Sequence, residues 1–173
     1  MDFDIFELLG QILSIIAMGL TIFSFQMKKR KQILIFQTVG TGFFLASFLL
    51  LGSWTAACLN VVFLARNIIF YFGEDKKWAK HPIWLPVILA AVIGAGALGY
   101  VSPLDLLPII GSIFGTVATY MKNENTFRLL KLGDSPLWLA YNAVIPSIGG
   151  VICEVFNIIS IIVALIRYRK KKV

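Results

Sequence analysis

Long apolar stretches dominate this chain, and short charged or glycine-containing breaks divide them. Crossing a bilayer takes roughly 20 residues of helix, and seven stretches of that order fit near residues 5–27, 33–51, 54–73, 82–100, 103–121, 127–146 and 148–168. Hydrophobic residues make up 58% of the 173 residues and charged ones only 14%, with a mean hydropathy of +0.84. A soluble domain of this size would present far more charge. The expected class is an all-α membrane protein of seven transmembrane helices, with essentially nothing outside the bilayer. That leaves no room for a soluble catalytic, nucleic-acid-binding or cofactor-binding domain. The opening Met1-Asp2-Phe3-Asp4 is acidic where a cleavable signal would be basic, so no such signal is expected.

The breaks alternate in charge. Lys28-Lys29-Arg30-Lys31 follows the first stretch, Lys76 and Lys77 the third, Lys122 the fifth, and Arg167 to Lys172 the seventh. The other breaks and the N-terminus carry no Lys or Arg. Lys and Arg in short loops mark the cytoplasmic side, so the N-terminus is expected outside and the C-terminus inside. The net charge of +7 therefore orients spans rather than binding nucleic acid. The C-terminal basic run should meet anionic headgroups. Trp54, Trp78 and Trp84 lie near stretch ends, as an interfacial aromatic belt requires, whereas Trp138 lies deep.

The chain also repeats itself, 94 residues apart and without a gap. Leu13-Ser14-Ile15-Ile16 returns as Leu107-Pro108-Ile109-Ile110, Met27-Lys28 as Met121-Lys122, and Phe44-Leu45-Ala46 as Trp138-Leu139-Ala140. Ser53, Val61 and Ile68 match Ser147, Val155 and Ile162. Repeated units of this kind are the mark of many transporter folds. A three-helix unit has an odd number of spans, so direct joining would invert the second copy. A fourth helix between the copies carries the chain back and leaves both in one orientation. The expected arrangement is two parallel three-helix bundles, residues 1–75 and 102–173, joined by a linker helix over 76–101.

This 3+1+3 layout is similar to that of the SWEET sugar transporters, their half-sized bacterial relatives, and vitamin transporters of the same layout. More closely, the chain resembles the YgjV-type family of bacterial inner-membrane proteins. The residues carrying that likeness are Leu106-Leu107-Pro108-Ile109-Ile110-Gly111, Trp138 with Asn142, Ser147-Ile148-Gly149-Gly150 and Glu154, with Gly52 and Arg66 in the first half. The resemblance implies a multi-pass inner-membrane location. The SWEET likeness implies a solute site: an aromatic residue and an asparagine sixteen positions later line the sugar site of the half-sized relatives. Phe44 and Asn60 keep that spacing, and so do Trp138 and Glu154. Two departures stand out. The Pro-Gln pair is missing, with Phe25-Gln26-Met27 and Tyr120-Met121 in its place, which puts the hinge in doubt. Glu154 replaces the asparagine, which puts a neutral sugar in doubt.

Charges within a span are costly, roughly 2.5–3.5 kcal/mol each on insertion scales, and so face an interior or a cavity. Arg66, Asp134 and Glu154 are such charges. Asp134, Trp138 and Asn142 share one helix face by their i, i+4, i+8 spacing, Glu154 shares a face with Asn157, and Asn60 shares one with Asn67. Phe44, Asn60, Trp138, Asn142, Glu154 and Asn157 are accordingly the candidate solute-binding residues. Arg66 and Asp134 lie at matching depth, about 18 Å from the outer surface at 1.5 Å per residue. They are candidates for an ion pair bridging the two bundles, as a gate or as a fixed clasp. Glu154 sits level with Asn60, with no basic neighbour evident at that depth, and is a candidate proton carrier. Pro108 is expected to kink the fifth helix. Cys58 and Cys153 read as apolar thiols without a disulfide, and His81 as an interfacial residue.

The expected function is movement of a small polar solute by alternating access. The alternative is a non-transporting scaffold or partner subunit whose polar residues only cement the helices. An enzyme is not expected: no His/Glu metal pair, Ser-Lys arrangement or paired aspartates occupy adjacent spans, and no cofactor or metal is implied. Expected partners are the bilayer, an unnamed solute and a second copy of the chain in a homo-oligomer.

Overall fold

The computed structural model describes residues 5–24, 27, 30–73, 75–121 and 123–169, with the backbone alone for 30, 124, 125 and 167–169. Among these residues the chain forms seven α-helices and two short 3-10 turns. The helices are α1 (Ile5–Ser24), α2 (Arg30–Leu50), α3 (Trp54–Phe72), α4 (Trp84–Gly99), α5 (Leu106–Tyr120), α6 (Glu124–Val144) and α7 (Ile148–Arg169). They match the seven apolar stretches to within three residues at each end. The C-terminal basic run and Lys28–Lys29 of the first cluster lie outside the described side chains.

Five helices, α1, α2, α3, the stretch Pro103–Tyr120 ending α5, and α7, are long and apolar enough to cross a bilayer. α4 is apolar but shorter, at 16 residues. α6 has 21 residues but turns charged side chains inward. Apolar side chains such as Ile5, Leu98, Leu129 and Val163 stay more than half exposed on the outer surface. Such a surface suits lipid, where burial in protein brings no hydrophobic gain.

Packing follows chain order. α2 lies against α1 and α3, α6 lies against α5 and α7, α4 leans on both α3 and α5, and α1 meets α7. These contacts close a ring of helices with α4 bridging α3 and α5. Small residues set the close crossings, as expected where backbone approach and van der Waals packing drive association. A Cβ built on Gly149 would lie 2.1 Å from the backbone oxygen of Ser14, where α7 crosses α1. One on Gly99 would lie 2.6 Å from Cα of Thr55, where α4 reaches the start of α3.

The turns after α2 and α6 are built alike. Ser53 N–H donates to Phe48 O (2.8 Å) and Ala57 N–H to Ser53 O (3.0 Å); Ser147 N–H donates to Asn142 O (2.9 Å) and Val151 N–H to Ser147 O (2.9 Å). Gly52 takes φ +71° in the first turn, the left-handed conformation that glycine adopts without penalty after a helix. Pro146 occupies the equivalent place in the second and is not left-handed.

Pro108 does not act as expected. It stands third in α5, in the first turn, where the backbone N–H it lacks would have no helical partner anyway. The proline in a helix interior is Pro136 of α6, which removes one hydrogen bond to the preceding turn two residues after Asp134.

Candidate functional site

Inside the ring lies a cavity of about 370 Å³, lined from both halves of the chain, within the size range of small-molecule sites. α2 contributes Gln37, Thr41, Phe44 and Phe48, and α3 contributes Asn60, Phe63, Arg66 and Asn67. α6 contributes Lys131, Asp134, Trp138 and Asn142, and α7 contributes Cys153, Glu154, Asn157 and Ser160. Phe127 and Arg128 of α6, Gly150, Ile161 and Ala164 of α7, Thr21 of α1, and Ser112, Gly115 and Thr119 of α5 complete the wall, and no residue of α4 lines it. All eight residues singled out in the sequence therefore face one space.

The lining has an internal correspondence. Of nine lining residues in the first half, eight have a lining residue 94 positions further on. Phe44 answers to Trp138, Phe48 to Asn142, Asn60 to Glu154, and Arg66 to Ser160. Aromatic rings form one wall. Trp138 packs on Phe48 and Phe63 with centroids 6.2 and 6.0 Å apart, and Phe44 stacks on Phe48 at 5.8 Å.

The charged residues are arranged differently from expectation. Asp134 pairs with Lys131 one turn earlier on its own helix, at 2.5 Å, not with Arg66. The reason is local: an i, i+3 lysine reaches the carboxylate without spanning the cavity. Asp134 packs against α5, with Oδ2 2.6 Å from the position of a Cβ on Gly115, and its Oδ1 has no hydrogen-bond partner. Arg66 lays its guanidinium over the Phe63 ring, 4.6 Å from the centroid, and donates a 3.5 Å bond to Asn67 Oδ1. Its Nε is buried without a partner.

Glu154 accepts a 3.2 Å hydrogen bond from Asn157 Nδ2. Contrary to expectation it has a basic neighbour, because Lys131 lies within electrostatic reach of it. Asn60 turns its amide to the Ala56 carbonyl of its own helix (2.8 Å). Asn142 is 2% exposed and lies against Gly150, where a Cβ would meet it at 2.6 Å; its Oδ1 is unpartnered.

The cavity is sealed at one end by polar contacts between helices. Gln11 of α1 donates to Pro146 O and accepts from Ile148 N–H (3.0 Å), while Ser14 Oγ accepts from Gly149 N–H (3.1 Å). Across the ring, Tyr141, Ser53 and Asp105 form a second cluster: the Tyr141 hydroxyl reaches Ser53 Oγ at 2.7 Å and Asp105 Oδ1 at 3.0 Å. Gln11 and Asp105 are themselves 94 positions apart. Lining residues near this end, such as Asn60, Asn142 and Cys153, are buried, whereas Phe127 and Ser160 at the basic end are exposed.

Sequence reasoning passed over Lys131, Tyr141, Asp105 and Gln11. Lys131 was legible as the i−3 neighbour of an intramembrane aspartate. The other three owe their role to helices that meet only in the folded ring. Cys58 and Cys153 are free thiols, and His81 accepts a hydrogen bond from Ile83 N–H at an exposed position. Among the described residues no cluster of three His, Cys, Asp or Glu side chains is placed to hold a metal.

Residues 8–172 match the family model Imp-YgjV, described as bacterial inner membrane protein. The chain belongs to this family. It is also similar to inner membrane protein YgjV of Escherichia coli (strain K12), with 28% identity over 152 residues, 84% of this chain and 76% of that protein. No solved structure matches. This member of the Imp-YgjV family is thus a multi-pass protein of the bacterial inner membrane, and its cavity lies within the matched residues.

Proposed function

We propose that the chain moves a small polar solute across the inner membrane by alternating access, with the ring cavity as the binding site. The observation that carries this reading is the cavity itself. It is polar and aromatic, it lies within the membrane-spanning segments, and both halves line it at positions 94 residues apart. Groups that served only as cement would close on one another. Here Asp134 Oδ1, Asn142 Oδ1 and Arg66 Nε remain without partners.

In this reading residues 1–75 and 102–173 are two repeats of one orientation, and α4 is the linker that makes them parallel, as in the SWEET layout. Two similar turns, two helix-to-turn locks and the paired lining support it. All seven helices span, with the N-terminus outside and the C-terminus cytoplasmic. The sealed end is then external and the conformation is open to the cytoplasm. The chain carries no cofactor and is no enzyme.

Thermal unfolding of the purified protein tests the reading, because a ligand that binds only the folded state raises the midpoint with its concentration. A panel of sugars, nucleosides, amino acids and polyamines should contain a stabilising class. If none shifts the midpoint at millimolar concentration, the scaffold alternative replaces the transporter.

A further inference from the structure

We infer that the cavity takes a zwitterion, specifically an α-amino acid with an apolar side chain, its carboxylate on Arg66 and its ammonium on Glu154. The inference rests on the reading of the cavity as a solute site and adds the class of solute. Four of the charged side chains decide it. Lys131 and Asp134 are committed to each other. Arg128, nearer the basic end, has an interaction of its own. Arg66 and Glu154 have no side chain of opposite charge within ion-pair distance among the described residues, and the charges of Asp134 and Lys131 act on them only from farther off. A guanidinium offers a planar fork that fits a carboxylate in two hydrogen bonds, and the unused Nε is part of that fork.

The two charges lie at neighbouring depths. α3 and α7 both start at the sealed end, and Arg66 and Glu154 are 12 and 6 residues into them, so their backbones differ in depth by about 9 Å. Arg66 leans back toward Phe63, one turn nearer the sealed end, which brings the two charges to within about one further helical turn along the axis, on the order of 5 Å. The two charges thus differ little in depth, and the cavity of about 370 Å³ that both line suits a solute of amino-acid size. Asn142 Oδ1, buried and unpartnered, offers a further acceptor for an ammonium near Glu154. Phe44, Phe48, Phe63 and Trp138 give the side chain an apolar, aromatic wall. A cationic or neutral hydroxylated solute would leave the Arg66 fork empty, and a simple anion would face Glu154.

Isothermal titration in lipid nanodiscs, with four probes, tests this: phenylalanine, leucine, phenylalanine amide (no carboxylate) and N-acetylphenylalanine (no ammonium). Phenylalanine and leucine should bind, and phenylalanine at least tenfold more tightly than either blocked form. Arg66→Gln should weaken phenylalanine and N-acetylphenylalanine at least tenfold and leave the amide unchanged, whereas Glu154→Gln should weaken phenylalanine and the amide. Where Arg66→Gln fails to fold, Arg66→Lys, which keeps the charge and loses the fork, should weaken phenylalanine in the same direction. Binding of sugars or polyamines in place of amino acids overturns the zwitterion and leaves the transporter. Equal affinity for phenylalanine and its blocked forms, or an affinity unmoved by both variants, also overturns it. Absence of binding by every class overturns both.

Discussion

The hydroxyl of Tyr141 on α6 donates a 3.0 Å hydrogen bond to Oδ1 of Asp105, just before α5, and lies 2.7 Å from Ser53 Oγ, just before α3. One phenol therefore holds three segments that are distant in the chain and closes one end of the cavity. Tyr141→Phe keeps the ring and removes both contacts. Asp105 retains the N–H groups of Val101 and Ser102 at 2.9 and 2.7 Å, so the loss should be the ordinary cost of a buried polar contact, about 1–3 kcal/mol. Adding Ser53→Ala to Tyr141→Phe should cost little more, because the serine has already lost this partner. Additive midpoint shifts would show that the two hydroxyls act separately.

Asp134 should couple more strongly to Lys131, its ion-pair partner, than to Arg66, which its charge reaches from farther off. A double-mutant cycle with Asp134→Asn and Lys131→Met should give an interaction energy of about 1 kcal/mol or more, since the carboxylate is 6% exposed and removing its partner strands a buried charge. The same cycle with Arg66→Gln should give a smaller value. A larger coupling to Arg66 would restore the inter-bundle pair expected from depth alone.

Two glycines separate packing from propensity. Gly149→Ala places a methyl 2.1 Å from the Ser14 carbonyl oxygen, which is backbone and cannot rotate away. Overpacking of this kind costs about 1–3 kcal/mol or more. Gly94→Ala meets nothing within 4 Å and should be neutral or slightly stabilising by helix propensity. Unfolding midpoints ranked the other way would mean that α1 and α7 do not cross at Gly149.

Asp75, in the loop after α3, accepts a hydrogen bond from the Lys31 ammonium, which holds its carboxyl below the usual carboxylate range. A lowered value adds stability above the unfolded pKa of about 3.9 and loses it as the pH falls through the folded value. The midpoint difference between wild type and Asp75→Asn should thus be flat from pH 5 to 8. Both side chains are well exposed, so high salt should shrink it. A difference that grows across that pH range would place the titration elsewhere.

Topology can be read with reporters. A reporter after Val173 should be cytoplasmic and one between Gly52 and Trp54 external, because Lys and Arg occupy alternate loops. Neutralising Lys28 to Lys31 should disturb orientation more than neutralising Lys76 and Lys77. An external C-terminus would remove the seven-span count and the parallel repeats together.

Much of the site was legible from spacing. Asp134, Trp138 and Asn142 recur at helical period, and the aromatic-to-polar interval of sixteen residues appears twice, so a shared inward face followed from helix geometry alone. The partner of each charge was not legible. Depth matched Arg66 with Asp134, but depth is one coordinate, and Lys131 wins by lying on the same helix one turn away. Pro108 misled for a related reason: a proline's effect depends on where the helix begins, and α5 begins only at Leu106, after the 3-10 turn that Ser102 and Asp105 cap.

Local physics acting within single segments is what the amino-acid order decides without help. Apolar length makes the helices, basic breaks point to their orientation, and glycine at 52 permits the turn after α2. Contacts between segments required the fold. The ring that brings Gln11 to the start of α7, sets Tyr141 between Asp105 and Ser53, and leaves Arg66 and Glu154 facing one cavity depends on which helices lie side by side. In a membrane that choice rests on close backbone approach at Gly99 and Gly149 and on polar groups finding partners, because apolar surface gains nothing by leaving lipid. Such terms are short-ranged and directional, so they become visible only once the helices are in contact.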